Sequence, residues 1–138
     1  MLLDSQLCFA LYSASLAMTK AYKPLLADLG LTYPQYLVML VVWEEEGMTV
    51  SAIGSRLFLD SGTLTPLIKR LESAGFIARL RDVEDERRVH VTLTAAGRRL
   101  KLDAAAVPAC MTSKIGCSPE DLISLNRMIR ELRERLSD

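Results

Sequence analysis

A mainly α-helical chain carrying one small β-hairpin is what this sequence predicts, and three observations predict it. Apolar residues recur at helical spacing along much of its length, most regularly at Leu122, Leu125, Ile129, Leu132 and Leu136. Two short helical runs, one through Val50, Ile53 and Leu57 and one through Leu64, Leu67, Ile68 and Leu71, are separated only by the turn Phe58-Leu59-Asp60. After Gly75 the pattern changes to two strand-like runs around a charged tip. The 138 residues are 50% hydrophobic and 25% charged, with no polar low-complexity run, so one ordered domain over residues 1–138 is expected.

The first element reads as a helix from Leu2 to Leu26, with Asp4 or Ser5 as its cap and Pro24 near its end. It is charged only at Asp4, Lys20 and Lys23, and a helix so apolar on every side is buried on every side. A chain this short has little room for a wholly internal first helix, so the helix is expected to pack into a second copy of the chain. A second helix fits Pro34 to Glu46, with Thr32 or Tyr33 before a first-turn proline and Gly47 as its stop. The acids Glu44, Glu45 and Glu46 oppose the macrodipole there and read as a solvated end. Thr49 suits the cap of the third helix. In the helix after the turn, Pro66 removes a backbone donor and crowds the carbonyl of Gly62, which implies a local bend or a later start. Strands fit 76–81 and 88–93, and Thr94 can cap a helix over 95–106. A break near Pro108 and Gly116 precedes a last amphipathic helix opened by Ser118 and Pro119.

Two short helices about a tight turn, followed by a hairpin, form a winged helix-turn-helix candidate over residues 49–93. The second helix of such a unit can enter the major groove, about 12 Å wide, with its N-terminal side chains near base edges. Here Ser61, Thr63 and Thr65 would reach bases or phosphates, and Lys69 and Arg70 would neutralise phosphates, with Asp60 at the head of the helix counted in the interface. In the hairpin, Arg79, Arg81, Arg87 and Arg88 stand against Asp82, Glu84, Asp85 and Glu86. The acids, Asp85 among them, are expected to hold neighbouring arginines so that Arg87 or Arg88 points into a minor groove. A net charge of +0 gives no global support for nucleic-acid binding, so affinity must come from these local clusters.

No positively charged leader and no uncharged apolar run of about 18 residues marks the N-terminal region, so a cytoplasmic protein without membrane contact is expected. Cys8, Cys110 and Cys117 are too few and too scattered for a disulfide-stapled module and should start as thiols. His90 is the sole histidine and the cysteines lack ligand spacing, so no metal or other cofactor is expected.

The run Leu57-Phe58-Leu59-Asp60-Ser61-Gly62-Thr63-Leu64-Thr65-Pro66-Leu67, followed by Asp85-Glu86-Arg87-Arg88, resembles the MarR family of winged-helix repressors. Leu7-Cys8-Phe9-Ala10-Leu11-Tyr12 and Leu31-Thr32-Tyr33-Pro34-Gln35-Tyr36 are similar to its OhrR branch of organic-hydroperoxide sensors, and the likeness runs from Leu3 to Leu136. The resemblance implies an intertwined homodimer, joined by helices in 1–30 and 94–138. It also implies double-stranded, palindromic operator DNA as partner, and release of that DNA when an organic hydroperoxide oxidises Cys8. Two rival readings stand beside it: a repressor released by a reversible phenolic ligand, and a thiol peroxidase. The peroxidase reading lacks an arginine near Cys8 in sequence and a CxxC pair.

Cys8, Tyr12, Ser15, Thr19 and Tyr22 share roughly one stripe of the first helix. The peroxide-reactive species is the thiolate, and hydrogen bonds to it lower a thiol pKa from about 8.5. Tyr12 lies one turn from Cys8, whereas Tyr22 is about 21 Å along the axis and can reach only the cysteine of another subunit. The resemblance implies that Tyr12 and Tyr22 bond the reactive cysteine across the dimer. It further implies that oxidised Cys8 forms a disulfide with a C-terminal cysteine of the partner, Cys117 or Cys110; Cys117 is preferred because it stands just before the cap of the last helix. Phe9, Leu11, Tyr33, Tyr36, Met39 and Trp43 could wall a hydrocarbon-binding pocket or simply be core.

Overall fold

Capping chemistry sets most element boundaries in the computed structural model, which describes residues 1–137. A 3-10 turn over Leu3–Ser5 precedes α1 (Leu7–Ala27), because the extended backbone of Gln6 divides what the sequence suggested was one helix from Leu2. Thr32 opens α2 (Tyr33–Glu44) with a reciprocal capping box: its Oγ1 accepts from the Gln35 N–H at 3.4 Å, and its own N–H donates to Gln35 Oε1 at 2.9 Å. Thr49 caps α3 (Val50–Leu57) by accepting from the Ala52 N–H at 3.1 Å. α3 ends at Phe58, whose left-handed backbone (φ 59) turns the chain into α4 (Ser61–Ser73). Pro66 lies inside α4, which neither starts later nor stops there. The Asp60 carboxylate fixes the start by accepting from the Thr63 N–H at 2.7 Å, and the proline denies a helical donor only to the carbonyl of the exposed Gly62.

The hairpin pairs β1 (Ile77–Arg81) with β2 (Val89–Leu93) in antiparallel register, Ile77 opposite Leu93 and Arg81 opposite Val89. A segment between α2 and α3 adds to the free side of β2: the Gly47 N–H donates to the Val91 carbonyl at 2.8 Å, and the Val91 N–H to that of Met48 at 2.9 Å. Thr94 caps α5 (Ala95–Asp103). α5 is shorter than the expected 95–106, and the next helix, α6 (Val107–Ile115), already contains Pro108. Proline in a first turn lacks only an N–H that the helix would not use, so Pro108 admits a helix where a break was expected. Gly116, at φ 74, ends α6, and Ser118 caps α7 (Pro119–Leu136) by accepting from the Asp121 N–H at 3.1 Å.

Two compact units result, Met1–Val107 and the segment from Pro108 onward. The first has a core of Val38, Met39, Ile53, Leu64, Ile68 and Leu71, closed by Ile77 and Val91 of the hairpin. No polar or charged residue among those described is buried. The acids at the end of α2 are exposed, as the sequence suggested, and two of them are also paired. Glu44 pairs with Arg56 at 2.7 Å, and Glu46 accepts from the Leu93 N–H at 2.9 Å and from Arg98 at 2.8 Å, so charged donors offset the unfavourable macrodipole. Two helices present apolar surface that their own unit does not cover. Only Leu26 of α1 is buried, with Leu7, Tyr12 and Leu16 exposed, and α7 exposes Ile123, Met128 and Leu136 while burying none of its residues.

Candidate functional site

Asp60 determines how α4 begins. Its carboxylate is turned onto the first helical amides, and the Thr63 N–H bond holds it below the usual carboxylate range. It therefore orients Ser61, Thr63 and Thr65 by capping. Ser61 and Thr63 are exposed at the start of α4, Thr65 is half-buried, and Lys69 and Arg70 stand exposed one to two turns on.

Around the wing, Arg79, Arg81 and Arg87 are each held by a different partner. Asp82 Oδ1 accepts from the Glu84 and Asp85 N–H groups at 2.8 and 3.2 Å, which folds the tip into an Asx turn. Asp85 accepts from the Arg87 N–H and Nε, both at 3.1 Å, and from Nη2 at 3.3 Å, so Arg87 is fixed at its base while its side chain remains 91% exposed. Arg88 is exposed beside it and helps to lower the Asp85 carboxyl, whose main stabiliser is Arg87. The other two arginines are held differently from the expected pairing within the tip. Arg79 reaches back to Glu72 of α4 at 2.9 Å, and Arg81 donates to the Glu86 carbonyl at 2.8 Å.

Asp82 spends its second oxygen on a histidine. His90 Nε2 lies 2.8 Å from Asp82 Oδ2, and Nδ1 lies 2.8 Å from the Gly47 carbonyl. The Asp82 bond, then the Gly47 carbonyl, raise His90 above its ordinary pKa, and His90, followed by the two tip amides, lowers Asp82 to about 2.

Thr65, Arg79, Arg87 and Arg88 converge with Ser51 on one groove of about 520 Å³ between the helix-turn-helix and the hairpin. Ser51 had no signal in the sequence. The bridge between Thr49 and His90 brings the start of α3 to the hairpin, and that pairing spans 41 residues.

The thiol region is built on α1. Cys8 is an exposed free thiol, as are Cys110 and Cys117. Tyr12 is exposed one turn from Cys8, and among the described residues no hydrogen bond joins the two. Tyr22, at the far end of the stripe, packs against Tyr33 and Tyr36, with ring centroids 4.6 and 5.8 Å away. Burial raises the Tyr22 pKa, so its phenol stays protonated and can donate. Of the suggested apolar wall, Tyr36 and Met39 are core, Tyr33 and Trp43 are partly buried against it, and Phe9 is exposed. Trp43 Nε1 donates to the Gly97 carbonyl at 2.9 Å. Among the described residues no cluster could hold a metal ion, and no helix is long and apolar enough to cross a membrane.

Comparison with known proteins bears on both regions. A family described as transcriptional regulator SarA/Rot matches residues 20–104. The HTH-type transcriptional regulator TtmR of Methylorubrum extorquens is 52% identical over 134 residues, covering 97% of this chain and 69% of that protein. The organic hydroperoxide resistance transcriptional regulator of Bacillus subtilis is 49% identical over 136 residues, covering 99% and 92%. Among solved structures, reduced AbfR bound to DNA superposes with a TM-score of 0.81 at 34% identity, covering 99% of this chain and 95% of that one. The disulfide form of AbfR gives 0.68 at 38%, covering 94% and 91%.

Proposed function

This chain belongs to the MarR family of winged-helix transcription regulators, in its organic-hydroperoxide branch, and from that premise we propose that it is a DNA-binding repressor released from its operator by oxidation of Cys8. The observation that carries the proposal is an exposed free thiol on an apolar helix, in a chain whose helix-turn-helix and hairpin form one arginine-lined groove. α4 enters the major groove, where Ser61, Thr63 and Thr65 meet base edges and Lys69 and Arg70 meet phosphates. Arg87 or Arg88 reaches the flanking minor groove, with Asp60 and Asp85 acting as holders of the contacting groups.

Two copies pair through the helices of 1–30 and 94–138, covering the apolar faces of α1 and α7 and matching a palindromic operator in the cytoplasm. The Cys8 thiolate attacks an organic hydroperoxide, taking one oxygen to become a sulfenic acid and releasing the alcohol. A thiol of the other subunit, Cys117 in preference to Cys110, then condenses with it and releases water. The phenols of Tyr22 of the partner subunit and of the nearby Tyr12 donate to the thiolate and stabilise it before attack. The existence of a disulfide form of a relative supports the covalent outcome.

Titration of a selected duplex with reduced protein, before and after cumene hydroperoxide, tests the proposal. Loss of binding that dithiothreitol restores is the expected result. Release by a phenolic acid without oxidation would replace it with a reversible-ligand repressor, and sustained peroxide turnover with a dithiol would replace it with a peroxidase.

A further inference from the structure

The groups around His90 are matched to only one protonation state of its ring. The Gly47 carbonyl can only accept, and the Asp82 carboxylate, ionised above about pH 2, can only accept. A neutral imidazole has one N–H and would present a lone pair to one of these oxygens, whereas an imidazolium donates to both. The two joints connect different parts of the DNA-facing unit. Gly47 precedes α3, and Asp82 organises the tip through its bonds to Glu84 and Asp85, the second of which holds Arg87.

Building on the repressor reading, we propose that His90 is a positioning residue for operator binding: as an imidazolium it ties Gly47 to Asp82 and thereby fixes the wing tip that carries Arg87 and Arg88. His90 does not itself have to touch DNA. The charged groups acting on it are Asp82 and Arg88, both on the hairpin, and the 47–49 segment packed against it contributes a carbonyl and no charge. A histidine whose folded pKa is raised contributes fully below its unfolded value, near 6.5, and loses that contribution as pH rises through the folded value. Operator affinity should therefore decline as pH rises through and above neutrality.

The test uses the reduced full-length protein and a palindromic duplex recovered from a random library, with binding followed by fluorescence anisotropy from about pH 6 to about pH 9. Wild type should weaken about tenfold across that range. His90→Gln should bind weakly with no comparable slope, and because it retains Cys8, its profile also accounts for thiol titration. Asp82→Asn separates tethering from direct contact. Its amide oxygen can still cap the tip while its NH2 donates to a neutral ring, so the tether closes without charge and the slope should vanish. A wild-type slope that survives in Asp82→Asn would mean that His90 acts directly on the phosphates and would overturn the proposal, as would a flat wild-type profile. Failure to recover any bound duplex would instead remove the repressor reading, and this inference with it. Because His90 is the sole histidine, its imidazole NMR signal can be followed without assignment. Its titration midpoint should lie above the ordinary value in wild type and fall in Asp82→Asn.

Discussion

Gly97→Ala should destabilise the protein by about 3 kcal/mol, and the reasons lie in three contacts around one missing methyl group. A Cβ at position 97 would fall well inside van der Waals contact of the Phe76 carbonyl oxygen, with the Phe76 carbonyl carbon at 3.1 Å and Leu93 Cδ2 at 3.2 Å. That oxygen cannot retreat freely, because it accepts the Thr94 N–H at 3.1 Å and closes the base of the hairpin. Nor can α5 lift away without stretching the bond from Trp43 Nε1 to the Gly97 carbonyl. Overpacking of this kind costs about 1–3 kcal/mol. An indole donor left unbonded in a half-buried site costs about 1–3 kcal/mol. The helical preference of alanine over glycine returns at most about 1 kcal/mol. For a chain of this length the net loss corresponds to a fall of about 10 °C in melting temperature. Urea unfolding at matched protomer concentration measures it, with the fluorescence of Trp43, the sole tryptophan, reporting the local change. A variant within about 0.5 kcal/mol of wild type, with unchanged emission, would refute the reasoning.

Cys8→Ser should bind the operator as wild type does and stay bound after organic hydroperoxide, since a hydroxyl of similar size forms no sulfenate; release on oxidation would move the sensor elsewhere. Arg87→Ala or Arg88→Ala should weaken specific binding, and Lys69→Ala should weaken binding to all duplexes and flatten the salt slope by about one unit. Filter binding at several salt concentrations reads both effects, and unchanged affinity in all three would remove the docking arrangement. On non-reducing gels, Cys117→Ser should eliminate a peroxide-induced covalent dimer that Cys110→Ser retains. The reverse pattern would assign the resolving thiol to Cys110.

Local chemistry was legible in the sequence to the extent that it acts over a few residues. Thr32, Thr49, Thr94 and Ser118 each cap the helix that their position suggested, and the two strands pair as their alternation implied. The site was legible as a set of candidates, because residue type and helical spacing already put Cys8 with Tyr12 and Ser61 with Thr65. The partners of charged groups were not. Glu46 finds Leu93 and Arg98, 47 and 52 residues away, and Asp82 finds His90 in place of an adjacent arginine. Such choices are made by tertiary geometry among many chemically equivalent candidates. Proline misled twice for a different reason: its cost depends on its depth in a helix, which the Asp60 cap sets for Pro66, while Pro108 falls in the first turn of α6.

In the proposed complex the wing would meet DNA with its counter-charge already attached. Arg87 carries Asp85 as a built-in anion, and the whole chain has a net charge of +0. Docking such a tip on an arbitrary stretch of duplex frees few condensed cations, so little entropy is gained where the base sequence is wrong. Competition for a repressor comes from the vast excess of unrelated genomic sites, and a weak hold on each leaves more of a small pool of molecules available to the correct one. Electroneutrality would thus shorten the time lost on irrelevant DNA, and after an oxidative episode it would let newly reduced molecules return to their operator without first being absorbed by the chromosome.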